Sequence, residues 1–258
     1  MSTSTRAGRP TSCAADLSGI TPAILAGGLG TRLRPALGDH PKVLAAVDGR
    51  PFVAYLLDVL AAASLPRVIL LTDTAEPQVE KTLGRRHAGL ELVYSPEPAP
   101  LGTAGALRAA LPLISTPTIL LLNGDSHCPV DLAAFAQRHR RERADASLVL
   151  AWVEEAGRFG QVERSLGGRV TRFTEKRGHG PGWINAGIYL IERLLIEAES
   201  GQAPLSLERE LLPRWARDRR VFGHAASGPF LDIGTPESYA AAGTFLHSLG
   251  QEKSGRRP

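Results

Sequence analysis

The sequence predicts an α/β fold: three layers, α/β/α, around a mostly parallel, mixed central sheet. Two observations carry this. Through about residue 152, short apolar runs such as Ile119-Leu120-Leu121-Leu122 alternate with helix-like patterns. A run that is apolar at every position belongs to a strand covered on both faces, and such strands are typical of parallel sheets wrapped by helices. Beyond about residue 153 the alternation gives way to hairpin-like segments, which bring antiparallel pairing into the same sheet.

In order along the chain, residues 22–26 read as a strand ending at glycine, and 52–63 as a helix with an apolar face. A strand at 68–72, a helix at 78–87, a strand at 90–94 and a helix at 104–111 continue the pattern. Residues 118–123 form the next buried strand. A helix over 132–141 places Leu132 and Phe135 on one face, and 146–152 is a strand. Residues 161–163 and 169–173 read as a hairpin around Leu166-Gly167-Gly168, followed by a buried strand at 186–191. Short helices are expected at 192–199 and 207–215, and late strands at 220–224 and 230–233. A final helix starts at Pro236, capped by Thr235. Residues 1–19 read as a flexible leader, 250–258 as a polar tail, and 20–249 as one domain whose halves, 20–152 and 153–249, share a sheet.

Composition excludes several classes. With 258 residues and 43% hydrophobic side chains the chain is long enough for a sizeable core, and its 22% charged residues argue against disorder. No run reaches the ~18 apolar residues of a membrane span, and the Ser/Thr/Arg-rich leader has no apolar secretory core. Cys13 and Cys128 make neither a disulfide framework nor a zinc site, so a reducing cytoplasm is the expected location. The net charge of +4 invites a nucleic-acid reading. However, much of the excess sits in the tails, at Arg6, Arg9, Lys253, Arg256 and Arg257. The run Arg138-His139-Arg140-Arg141-Glu142-Arg143 reads as a solvated helix end, so no nucleic-acid partner is expected.

The strongest chemical signal is Leu25-Ala26-Gly27-Gly28-Leu29-Gly30-Thr31-Arg32-Leu33-Arg34-Pro35, with Pro41-Lys42 downstream. Glycines after a strand let backbone N–H groups approach phosphate oxygens, and arginines add forked, permanently charged donors. It is neither a dinucleotide fingerprint, which needs glycine where Leu33 stands, nor a P-loop, which needs Gly-Lys-Ser/Thr. Asp125 closes a buried strand at the edge where open α/β sheets place ligands, and Asp232 follows the apolar Pro229-Phe230-Leu231. Two hard carboxylates suit Mg²⁺, which takes few protein ligands and completes its shell with phosphate and water. A turn at Asp125 and an Asx-type cap at Asp232 are the plainer alternatives.

AGGLGTRLRP followed by PK resembles the signature of the sugar-phosphate nucleotidyltransferases. Pro100-Leu101-Gly102-Thr103-Ala104-Gly105, Asn123-Gly124-Asp125-Ser126, Phe159-Gly160, Glu175-Lys176, Asn185-Ala186-Gly187 and Asp232-Ile233-Gly234-Thr235 match family motifs in order. Within the family the chain is most similar to the D-glycero-D-manno-heptose 1-phosphate guanylyltransferases, by its NGDS, EK…INAGIYL and FLDIGTPESY segments and its lack of an added C-terminal domain.

The resemblance implies a Rossmann-like nucleotidyltransferase fold, with 20–152 the nucleotide-binding half and 153–249 the sugar-phosphate-binding half. It implies a reaction in which a nucleoside triphosphate, here GTP, and a sugar 1-phosphate give a nucleotide sugar and pyrophosphate. Mannose 1-phosphate with GTP, or glucose or amino-sugar 1-phosphates with UTP, dTTP or CTP, remain alternatives. A sugar phosphate is largely dianionic near neutrality, so no general base is needed, and positioning with electrostatics carries the catalysis.

By the same resemblance Arg32, Lys42 and Asp125 are catalytic, and Asp125 and Asp232 hold Mg²⁺. Ala26, Gly27, Gly28, Gly30, Thr31, Arg32, Gly102 and Thr103 bind the nucleotide, with Thr103 also capping its helix. Gly160, Glu175, Lys176, Asn185 and Gly187 bind the sugar phosphate, with Trp183 nearby. Val43 stands where many relatives carry a second proline, which bears on the rigidity of the lysine loop. The partners implied are these two substrates, with no membrane and room for a homodimer.

Overall fold

The structure is a computed structural model that describes residues 17–28, 33, 37–38, 40–73, 78–175 and 179–254. The N-terminal half contributes β1 (Ile20–Leu25), the short pair β2 (Ala46–Val47) and β3 (Arg50–Pro51), β4 (Arg67–Asp73), β5 (Arg86–His87), β6 (Leu90–Glu97), β7 (Thr118–Asn123) and β8 (Ser126–His127). The C-terminal half adds β9 (Ala146–Val153), β10 (Gly160–Arg164), β11 (Val170–Glu175), β12 (Gly182–Glu192), β13 (Val221–Ala225) and β14 (Leu231–Asp232). Ten of these form one sheet in the order β11-β10-β12-β7-β1-β4-β6-β5, with β9 against β12 and β13 against β9.

The centre of the sheet is parallel: β7, β4 and β6 run with β1. Its extension is largely antiparallel, because β12 joins β7, β9 and β10 in the reverse sense. The mixed sheet expected from the change of pattern near residue 153 is therefore present.

Alternation along the central strands builds two cores. Ile24, Leu70, Leu120 and Leu122 face one layer, where Val53, Leu56, Leu57 and Leu60 of the helix Phe52–Ala62 cover them. Ala23, Ile69, Leu71, Ile119 and Leu121 face the other, against Ala104 and Leu107 of the helix Thr103–Ala109 and Trp215 of the helix Leu212–Asp218. Each leucine, isoleucine and valine among them, fully buried, contributes about 1.5–3 kcal/mol. These two covers make the three layers.

Several elements differ from their expected extents. The helix over 78–87 stops at Leu83, because Gly84 takes a left-handed conformation (φ 66°), and Arg86–His87 becomes an edge strand. The strand over 186–191 runs from Gly182 to Glu192 and absorbs the start of the following helix, which is confined to Arg193–Glu197. The helix expected over 207–215 is a wide π-type turn, Leu207–Leu211, leading into Leu212–Asp218, with Pro213 in its first turn where no amide hydrogen is required.

Candidate active site

The parallel strands deliver their carboxyl ends to one edge of the sheet, the position at which open α/β sheets bind ligands. Leu25 pairs with Asn123, so the chain leaves β1 toward Gly27 and Gly28 directly beside the chain leaving β7 toward Gly124 and Asp125. Gly124 donates its N–H to the Leu25 carbonyl at 3.1 Å. A Cβ there would collide with that carbonyl and lie 2.7 Å from Val43 Cγ1. Only glycine lets the two turns and the lysine loop pack this closely. Val43 is buried beneath the 3₁₀ turn Lys42–Leu44, so core packing anchors the loop.

The two aspartates converge. β8 and β14 pair antiparallel with Asp232 opposite Ser126, and Ile233 donates its N–H to the Asp125 carbonyl at 3.0 Å. Lys42 Nζ lies 2.5 Å from Asp125 Oδ2 and 3.9 Å from Asp232 Oδ2. Asp232 Oδ1 accepts from the Gly234 N–H at 2.9 Å and from Arg158 Nη2 at 3.3 Å. Burial, reinforced by the neighbouring Asp125 charge, raises the pKa of Asp232, while Lys42, the Gly234 amide and Arg158 pull it down. Two carboxylates crowd a single point and two cations answer them, an arrangement that favours positive charge between the aspartates.

Two cavities meet at this point. The smaller, about 290 Å³, is walled by Gly27, Gly28, Lys42, Gly124 and Gly234. The larger, about 710 Å³, is walled by Gly160, Glu175, Asn185, Gly187, Arg158 and Glu208 among others. Thr103, Asn123 and Asp125 line both. Two ligands seated in the two cavities would meet at Asp125.

On the smaller side, Ala26 is buried and its amide is engaged by the Leu71 carbonyl at 2.8 Å. Gly28 has φ 120°, and among the described residues no atom comes within 4 Å of where its Cβ would stand. A Cβ on Gly27 would lie 3.3 Å from both the Asp73 amide nitrogen and Glu97 Oε1. Glu97 Oε2 accepts from the Leu101 N–H at 2.8 Å, and burial raises its pKa. Gly30, Thr31 and Arg32 lie outside the described residues.

Gly102, at φ 75°, packs on the backbone of Leu205, whose carbonyl accepts from the Ala104 and Gly105 amides at 3.0 and 3.1 Å. That carbonyl caps the helix, and the expected capping role of Thr103 is corrected. The Thr103 hydroxyl is already committed, donating to Glu208 Oε2 at 2.7 Å and accepting from the Leu207 N–H at 2.8 Å.

On the larger side, Gly160 pairs with Glu175, and its missing side chain makes room for the Glu175 carboxylate and the Phe173 ring. Gly187, at φ 75°, sits at the irregularity in the β12–β9 pairing, where a Cβ would press on Asn123 and Ser126. Asn185 accepts from the Gly187 N–H at 3.1 Å and donates to the Tyr189 hydroxyl at 2.6 Å. Lys176 lies outside the described residues. Trp183 is not among the residues lining the cleft. It stands edge-to-face with Trp152 under the Arg164 guanidinium, because its register partner on β9 is Trp152.

Arg158, Ser206 and Glu208 reach the cleft without having been singled out in the sequence, and Asn123, named there only as the first residue of a motif, lines both cavities. Arg158 immediately precedes the Phe159-Gly160 motif, so adjacency was the available signal. Cys128 is buried, which pushes its thiol up to about 12 and leaves it inert. Among the described residues no cluster of three or more His, Cys, Asp and Glu side chains could hold a metal, and no helix is long and apolar enough to cross a membrane.

Comparison with known proteins places this geometry. The chain is 35% identical over 219 residues to a D-glycero-alpha-D-manno-heptose 1-phosphate guanylyltransferase from Aneurinibacillus thermoaerophilus, a match covering 85% of this chain and 95% of the relative. It is 36% identical over 220 residues to a mannose-1-phosphate guanylyltransferase from Mycobacterium tuberculosis, covering 84% of this chain but 61% of that longer protein. The crystal structure of HddC from Yersinia pseudotuberculosis superposes with a TM-score of 0.78 at 29% identity, covering 88% of this chain and 99% of HddC. HddC has also been crystallised with GMP-PN. The nucleotidyl transferase family model matches residues 21–248, so the chain belongs to the nucleotidyl transferase family.

Proposed function

We propose that the chain transfers a guanylyl group from GTP to a sugar 1-phosphate, with D-glycero-D-manno-heptose 1-phosphate as the sugar, giving GDP-heptose and pyrophosphate. The observation that carries the reading is the convergence of Asp125, Asp232 and Lys42 where the two cavities meet. A sugar-phosphate oxygen attacks the α-phosphorus, the α–β anhydride bond breaks, and pyrophosphate leaves. Both substrates are polyanions, so the task is to hold them together and balance charge as the bond shifts.

Asp125 and Asp232 would hold a divalent cation, Mg²⁺, and their paired carboxylates, drawn toward one ammonium, fit it. When bound, the ion neutralises phosphate charge. Lys42 serves the reacting phosphates as a compact point charge. Gly27 and Gly28, with Gly30, Thr31 and Arg32, cradle the triphosphate, and Gly102 and Thr103 border the base. Glu175, Lys176 and Asn185 hold the sugar phosphate beside Gly160 and Gly187.

The heptose reading is supported by the 95% coverage of the heptose relative. The 36% identity to the mannose enzyme supports a second reading with the same reaction and mannose 1-phosphate. Purified protein with Mg²⁺ is to be given GTP, UTP, dTTP and CTP against heptose, mannose, glucose and amino-sugar 1-phosphates, and pyrophosphate release measured. Release with GTP and the heptose phosphate is expected to dominate. Preference for mannose 1-phosphate would transfer the assignment to the second reading, and release with no pair would overturn both.

A further inference from the structure

Resting on the two-substrate reading above, we propose that Glu208 is a positioning residue that holds the nucleotide-side turn and the sugar-side bulge in one arrangement, and so sets the apparent affinity for both substrates without touching the reacting phosphates.

The carboxylate is the node of a hydrogen-bond chain across the larger cavity. Oε2 accepts from Thr103 Oγ1 at 2.7 Å and from Ser206 Oγ at 3.2 Å, while Oε1 accepts from the Tyr189 hydroxyl at 3.3 Å. Tyr189 in turn accepts from Asn185 Nδ2, whose Oδ1 holds the Gly187 amide. One end of the chain is the first residue of the helix Thr103–Ala109, which lines both cavities. The other end is the bulge of β12 beside Asn123.

Packing on both sides holds this network in place. Tyr189 is fully buried, and burial with the Glu208 charge beside it keeps its phenol protonated as a donor. Leu205 is laced to Leu101, Ala104 and Gly105 by backbone bonds, and the Leu207 N–H donates to the Thr103 hydroxyl, so Glu208 cannot move away without unlacing that turn. The Glu208 carboxylate faces hydroxyl donors from both sides, where an ionised acceptor makes stronger bonds than a neutral one. Half-buried networks of this kind, anchored on the buried Tyr189, act as units rather than as independent pairs.

The test separates the two legs by mutation. Tyr189→Phe removes the sugar-side leg and should raise KM for the sugar 1-phosphate roughly tenfold with little change in KM for the nucleotide. Thr103→Val removes the nucleotide-side leg and should do the reverse. Glu208→Ala should raise both, and Glu208→Gln, which keeps one acceptor oxygen, should recover the KM of one leg and leave the other raised. Each second substitution added to Glu208→Ala should cost less than it does alone. Unchanged KM values in Glu208→Ala, or a fall in kcat that merely follows a fall in melting temperature, would overturn the proposal.

Hydrogen exchange in the unliganded protein reads the network without substrates. Glu208→Ala should speed exchange at the Leu207 and Gly187 amides by at least roughly tenfold, while amides of β1 and β4 stay protected. Unchanged protection at both amides would sink the proposal even in a protein that turned over every pair. Loosened amides in a protein that turned over none would leave Glu208 as the positioning residue and overturn only the assigned substrates.

Discussion

At Asp125 the site is defined by charge more than by shape. Its carboxylate meets Lys42 at 2.5 Å and stands close enough to Asp232 to raise that group's pKa. Asp125→Asn keeps the volume and removes the charge. Pyrophosphate release is expected to fall by about 10²–10³-fold, the usual cost of losing one preorganised electrostatic group, with stability changed by less than about 1 kcal/mol because the pair is partly solvated. Parallel turnover and melting measurements check this, and a near-normal rate would remove Asp125 from the reaction. Asp125 and Asp232 were legible in the sequence because each follows an apolar strand at a place where a buried charge needs a reason. Glu208 was not legible: its meaning comes from Thr103, 105 positions away, and no local pattern records that contact.

At the scale of elements, the short segments carry the geometry. The two-residue pair β8–β14 fixes Asp232 beside Asp125, and the next residues enter a capping box in which Thr235 Oγ1 accepts from the Ser238 amide. Thr235→Ala should cost about 1 kcal/mol, read as a fall of about 2–4 °C in melting temperature. No change would mean that the segment after Asp232 is held by other contacts. The capping Thr and the following Pro were visible in the sequence, as were the long apolar strands, because their periodicity is local. β14 falls within the strand expected at 230–233, but its partner β8 and the full length of β12 were not visible. Two-residue strands have no period, and β12 passes through Asn185 and Gly187, residues that by themselves read as a turn.

At the scale of the whole molecule, His224 couples the fold to pH. It is buried on β13 against the Phe135 ring, and neither ring nitrogen has a hydrogen-bond partner among the described residues. Burial, helped by Arg138, His139 and Arg164, pushes its pKa down from 6.5 to about 4. Between those values the unfolded chain binds a proton that the folded chain refuses, so stability is complete above pH 6.5 and falls as the pH drops toward 4. The loss across that window is about 3 kcal/mol. In His224→Phe the same titration should be flatter by about that amount in urea melts. An equally steep profile in the variant would place the acid sensitivity elsewhere.

β12 belongs at once to both parts of the sheet, bonding to β7 through Ile188–Glu192 and to β10 through Ile184, with β9 along its other edge. The lobes flanking the cleft therefore share a backbone ladder and cannot hinge apart without breaking it. The gap between them is a rigid jaw of set width, and any closing over bound molecules falls to segments outside the ladder.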